Sequence, residues 1–88
     1  MVINVGLARC PECESLRLSV HLAYEQYFTG CEVLCLDCYK RVSVDGLITD
    51  STPDLVYRAA GKWNDKAVPK IKELVPGVPP ITSVQVRV

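Results

Sequence analysis

A small α+β fold is predicted by three observations. Three segments in the first half of the chain are strand candidates, the first of them alternating apolar and polar residues with a period of two, as half-buried strands do. One segment after residue 50 carries an apolar stripe at helical spacing behind a clear start signal. Two Cys-x-x-C turns bracket the first two strand candidates and suit a short antiparallel sheet stapled at one end.

The strand candidates come in order. Over residues 16–22, Leu16, Leu18, Val20 and Leu22 alternate with Arg17, Ser19 and His21. Residues 27–34 form the second and lead directly into Cys35, and residues 41–44 the third, with Val42 and Val44 on one face. The helix is expected over residues 51–66. Ser51 or Thr52 caps it, Pro53 sits near the first helical position, and Asp54 favours the positive end of the dipole. Leu55, Val56, Ala59, Ala60 and Trp63 form its apolar stripe, which places Trp63 in the core. Gly61 weakens this helix by about 1 kcal/mol relative to alanine and reads as a close-packing position. Pro69, Pro76, Pro79 and Pro80 are expected to break regular structure between Val68 and Pro80. Val84, Val86 and Val88 then alternate with Gln85 and Arg87 as a C-terminal strand. It can pair with the extended apolar arm at residues 2–5 or with another subunit's edge, so a homodimer through these edges is an expectation.

At 88 residues the chain is expected to be one domain, 1–88, with a core at 10–66 and a Pro-rich extension at 67–88. A core this small often needs a staple such as a metal. With 49% hydrophobic and 23% charged residues, the composition is that of a folded chain rather than a disordered one. Ten basic and ten acidic residues give a formal net charge of +0, without the basic excess that phosphate contacts call for. The first eight residues lack the basic flank and apolar core of a secretory signal, and no apolar run approaches a membrane span. A cytoplasmic protein with no membrane association is the expectation. Five cysteines, an odd number, fit a reducing compartment and metal binding better than a disulfide framework.

Cys10-Pro11-Glu12-Cys13 and Cys35-Leu36-Asp37-Cys38 are separated by 21 residues, room for a hairpin that returns the second turn to the first. Each turn sets two sulfurs close together, with backbone amides able to stabilise thiolate charge. Two such turns supply the four soft ligands that zinc favours in a tetrahedron. The predicted centre is one structural Zn2+ on Cys10, Cys13, Cys35 and Cys38, and the fold class is a small α+β zinc ribbon. Four protein ligands leave no open position for water, so the metal should fold the protein and do no chemistry. Iron also accepts four thiolates. A redox role for the pairs is a poor second without a surrounding βαβ pattern. Cys31 on an extended strand lies about 13 Å before Cys35, too far to share the ion, and reads as a buried free thiol. His21 falls on the polar strand face with Arg17 and Ser19 and reads as solvated. Lys62, Lys66, Lys70 and Lys72 read as a solvated helix face and dipole complement. No serine–histidine–aspartate set, phosphate loop or spaced carboxylate pair suggests an enzyme.

The two cysteine turns, the strand between them, and a helix ending Ala59-Ala60-Gly61-Lys62-Trp63-Asn64 resemble the Lar restriction-alleviation family over residues 10–64. These are small phage and prophage zinc-ribbon proteins with a CPxCG knuckle, a second CxxCG knuckle and a helix closing in Trp-Asn. Here Glu14 and Tyr39 stand where the family has knuckle glycines. A residue with a β-carbon costs roughly 1–2 kcal/mol at positive φ, so knuckles of somewhat different shape are expected. The resemblance implies a protein of the bacterial host cytoplasm that binds a host protein and modulates restriction–modification. The alternative is a zinc ribbon that docks on RNA polymerase or nucleic acid in transcription; the neutral charge disfavours nucleic acid as a partner.

Overall fold

The structure is a computed structural model, and it describes residues 2–24, 29–46 and 51–87. Strand β1 (Val2–Ala8) comes first, followed by β2 (Leu18–Tyr24), β3 (Thr29–Cys35), β4 (Arg41–Gly46), helix α1 (Thr52–Leu74) and β5 (Ile81–Arg87). The strands form two separate antiparallel sheets, a meander β2-β3-β4 and a two-stranded sheet that joins β1 to β5. Among the described residues this is an α+β architecture with antiparallel strands and one helix, as the sequence predicts.

Residues Ile3, Val5 and Leu7 face inward on β1, and Val86 of β5 pairs with Ile3. The helix lays its stripe of Leu55, Val56, Ala59, Ala60, Trp63 and Ala67 against β1, β3 and β4. Val33 and Cys31 of the central strand β3 complete the same cluster, with Leu18, Val20 and Leu22 packed half-buried at its margin. Trp63 is the largest side chain buried there, as expected. Ser51 caps the helix by accepting from the Asp54 amide at 3.3 Å.

Four expectations need correction. The helix does not stop near residue 66 but runs on through Pro69 to Leu74. A proline removes one backbone donor, and here it sits on the exposed side, where water can satisfy the Asp65 carbonyl left without its helical partner. Buried Ala67 and Ile71 hold the turns on either side of it. The first strand of the meander begins at Leu18 rather than Leu16, because the chain leaves the first cysteine turn through a tight bend in which the Leu18 amide donates to the Leu16 carbonyl at 2.9 Å. Leu16 is exposed as a result. Gly61 is exposed, and a β-carbon there would meet nothing, so it is not a close-packing position. The close approach lies instead at Gly6, where a β-carbon would stand 2.7 Å from Ile81 Cγ2. The third strand runs two residues beyond the predicted 41–44, to Gly46.

The C-terminal strand pairs with the N-terminal arm of its own chain, Val5 opposite Val84. Residues 27 and 28 of the second strand candidate, and Val88 of the last, lie outside the described residues.

Candidate metal centre

Each cysteine turn follows directly from a strand. Cys10 comes two residues after β1, and Cys35 is the last residue of β3. The two turns then take the same backbone path. The Glu14 amide donates to the Cys10 carbonyl at 2.8 Å, and the Tyr39 amide to the Cys35 carbonyl at 2.9 Å. One residue further on, the Ser15 carbonyl accepts from the Cys10 amide at 3.0 Å, and the Lys40 carbonyl from the Cys35 amide at 2.9 Å. Glu14 has φ 61° and Tyr39 φ 64°. Both residues thus take the positive φ that a knuckle glycine allows. The closing hydrogen bonds require the left-handed conformation, and these two residues adopt it despite the steric cost of their β-carbons.

The four sulfurs of Cys10, Cys13, Cys35 and Cys38 lie within 4.8 Å of one another. Cys10 and Cys38 are 3.4 Å apart and Cys13 and Cys35 3.5 Å. Four sulfurs around one zinc ion at about 2.3 Å stand about 3.8 Å apart, a spacing that lies between the shorter distances here and the 4.8 Å limit of the cluster. These four cysteines are positioned to bind a metal ion. Cys10 and Cys35 are buried, whereas Cys13 and Cys38 are exposed, so the centre sits at the surface with one side against the core.

The thiols are unequally poised. Burial pushes Cys35 up, but the Cys38 and Asp37 amides and the Cys13 and Cys38 thiols outweigh it and bring Cys35 down to about 7. The Ser15 amide pulls Cys13 down; burial and the sulfurs of Cys35, Cys38 and Cys10 together override it and push Cys13 up to about 12. At Cys10 burial raises the thiol against the lowering pull of the Cys13 and Glu12 amides. The amides of each turn thus point at its first sulfur, an arrangement that stabilises thiolate charge once a cation is present.

Ion pairs and hydrogen bonds cross between the turns. Asp37 of the second takes the Arg17 guanidinium at 2.9 Å and the Ser15 hydroxyl, while Glu12 of the first meets Lys40 at 3.4 Å. The Leu36 amide donates to the Arg17 carbonyl at 2.8 Å. Cys31 stands apart from the sulfur cluster, buried on β3 opposite Leu22 and Val44, and burial raises its thiol as for an inert core residue. His21 is exposed on β2, its Nε2 2.8 Å from the Ser19 hydroxyl, and is not among the clustered ligands. Of the lysine run, Lys62 is not merely solvated, since it donates to the Ser43 carbonyl of β4 at 2.8 Å.

Two residues that support the centre were not foreseen in that role. The Asn64 side chain accepts from the Ala8 amide at 2.8 Å and donates to the Gly6 carbonyl at 2.9 Å. Trp63 Nε1 donates to the Ala8 carbonyl at 2.9 Å. Together they fasten the outer edge of β1 immediately before Cys10. The only sequence signal was the adjacent Trp-Asn pair at the end of the apolar stripe. The chain matches no protein-family model, no curated protein and no solved structure.

Proposed function

We propose that this is a small zinc-binding interaction protein of phage or prophage type, acting on a host defence or DNA-processing enzyme such as a restriction–modification system. The observation that carries the reading is the closed quartet of Cys10, Cys13, Cys35 and Cys38. Four thiolates fill a tetrahedral zinc shell and suit a structural ion, one that holds a surface in shape for a partner and takes no part in chemistry. A tetrahedral set of four thiolates accepts zinc or iron, and a measurement of the bound metal decides between them. Native mass spectrometry showing one zinc per chain and a colourless protein supports zinc; a red protein with ferric thiolate absorption overturns it.

The neutral charge favours a protein partner over nucleic acid. The resemblance over residues 10–64 points to restriction–modification enzymes among such partners. The test is a binding assay between the zinc-loaded protein and a purified type I restriction–modification complex, with chelator-treated protein as control. Metal-dependent retention and a reduced cleavage of unmodified DNA in cells are the expected results. No binding and no change in restriction would sink the reading. A gel shift that weakens steeply with salt would favour the transcription alternative.

A further inference from the structure

Beyond that reading, we infer that the outer edge of β5 is a self-pairing surface, where a second copy of this chain adds its own β5 and turns two two-stranded sheets into one of four strands. The hydrogen-bond alternation of an antiparallel pair fixes which groups are free. Gly6 and Ala8 direct their backbone groups to Asn64 and Trp63, away from β5, so Ile3, Val5 and Leu7 bond to it. Their register partners are Val86, Val84 and Thr82. Ile81, Ser83, Gln85 and Arg87 therefore turn their amides and carbonyls outward, and among the described residues none is shown bonding to them.

The edges of this protein are treated differently. The outer edge of β1 is covered at Gly6 and Ala8 by Asn64 and Trp63, and the β4 edge receives Lys62 at the Ser43 carbonyl. β5 has no such cover, and it also lacks the lysine, proline or inward charge that ordinarily guards an exposed edge. β2 too lies at a sheet edge, but its sheet already has three strands. Two strands make a marginal sheet, and β1-β5 is the one that is short of neighbours.

A second copy fits this edge better than an unrelated strand. In an antiparallel pairing with Val84 on the two-fold axis, Ser83 meets Gln85 of the second copy, and Arg87, the one charge on the strand, meets Ile81 rather than itself. No like charges face each other across this pairing.

Sedimentation of the zinc-loaded protein at rising concentration tests this. The expected native mass is twice 9.7 kDa. Gln85→Pro deletes an outward amide and leaves the bonds to β1 intact, and it should return the mass to that of the monomer with metal content and helical circular dichroism unchanged. Ser83→Lys, which puts a charge on the same edge, should do the same and stands in if the proline variant misfolds. A native protein that stays monomeric at every concentration overturns the inference, and so does a dimer that persists in a folded Gln85→Pro or Ser83→Lys variant. Neither result bears on whether a host enzyme is bound.

Discussion

The two cysteine turns have the same backbone and different foundations. Residues 10–15 and 35–40 share their hydrogen bonds and a left-handed residue after the second cysteine. The second turn grows out of β3, the middle strand of the meander, bonded to a neighbour on each side. The first follows β1, which has one strand for a neighbour and, on its other edge, two side chains from a distant helix. Equal local geometry therefore does not mean equal stability. A metal held between them fastens the weaker sheet to the stronger.

Metal removal is the sharpest way to separate the two, and carries the largest effect. Structural zinc sites contribute on the order of 10 kcal/mol to folding. A chelator should unfold most of the chain at physiological temperature. At low temperature, where folding is partly retained, amide exchange should rise first at Cys10 and Glu14 and last in β3. Equal exchange in both turns would break the asymmetry. Serine at Cys10 or at Cys35 should abolish stoichiometric metal binding in either case, because the quartet has no spare ligand.

Acid should release the metal, and the direction follows from the thiols. Each ligand must lose its proton to bind, so apparent affinity falls as pH falls. Below about pH 7, where Cys35 is also protonated, the fall should steepen to roughly four powers of ten per pH unit, one for each displaced proton. In the metal-free protein the two turns differ again. The depressed Cys35 contributes stability that is present above pH 9 and lost as pH falls through about 7. The raised Cys13 contributes below pH 9 and loses its contribution as pH rises toward 12. At low temperature, where the metal-free protein keeps part of its fold, thiolate absorbance should show one group titrating near 7, and Cys35→Ser should remove it.

Asn64→Ala comes next in size. It strips two partners from the β1 edge and should cost about 1–3 kcal/mol. Trp63→Phe keeps most of the buried ring and removes the bond to the Ala8 carbonyl, a loss of similar order. Both changes should weaken metal binding through the first turn while amide protection in β3 holds. Thermal unfolding and zinc competition with a chelator measure the two effects. A loss of protection spread evenly over both sheets would mean that Asn64 acts on the core at large and not on the first turn.

The parts of this picture that rest on local chemistry were legible in the sequence. The ligand quartet is a matter of short turns and spacing, and the apolar stripe of the helix is a matter of period. What escaped depends on contacts far along the chain. Asn64 and Ala8 are 56 residues apart, and no local rule announces an amide that substitutes for a missing strand. Pro69 misleads for the converse reason. The rule against proline in helices is local, and the burial of Ala67 and Ile71 outweighs it while the unpaired carbonyl has access to water. Leu16 fits the alternation of β2, yet the exit from the first turn claims it.

The left-handed residues give the finest test of the comparison. Glu14 and Tyr39 have φ values within a few degrees, so their backbone strain should be equal. Glycine at either position should relieve it and stabilise the protein by about 1 kcal/mol, less what glycine's greater freedom in the unfolded chain takes back. Equal gains in thermal unfolding would show that strain alone is at work. A smaller gain at one site would mean that its side chain contributes in the folded state. Glu14 and Tyr39 are both exposed, and among the described residues Glu14 forms no ion pair, so the backbone gives no reason for the two gains to differ. An unequal result would therefore locate the difference between the turns in what surrounds them, which is where the two sheets already differ.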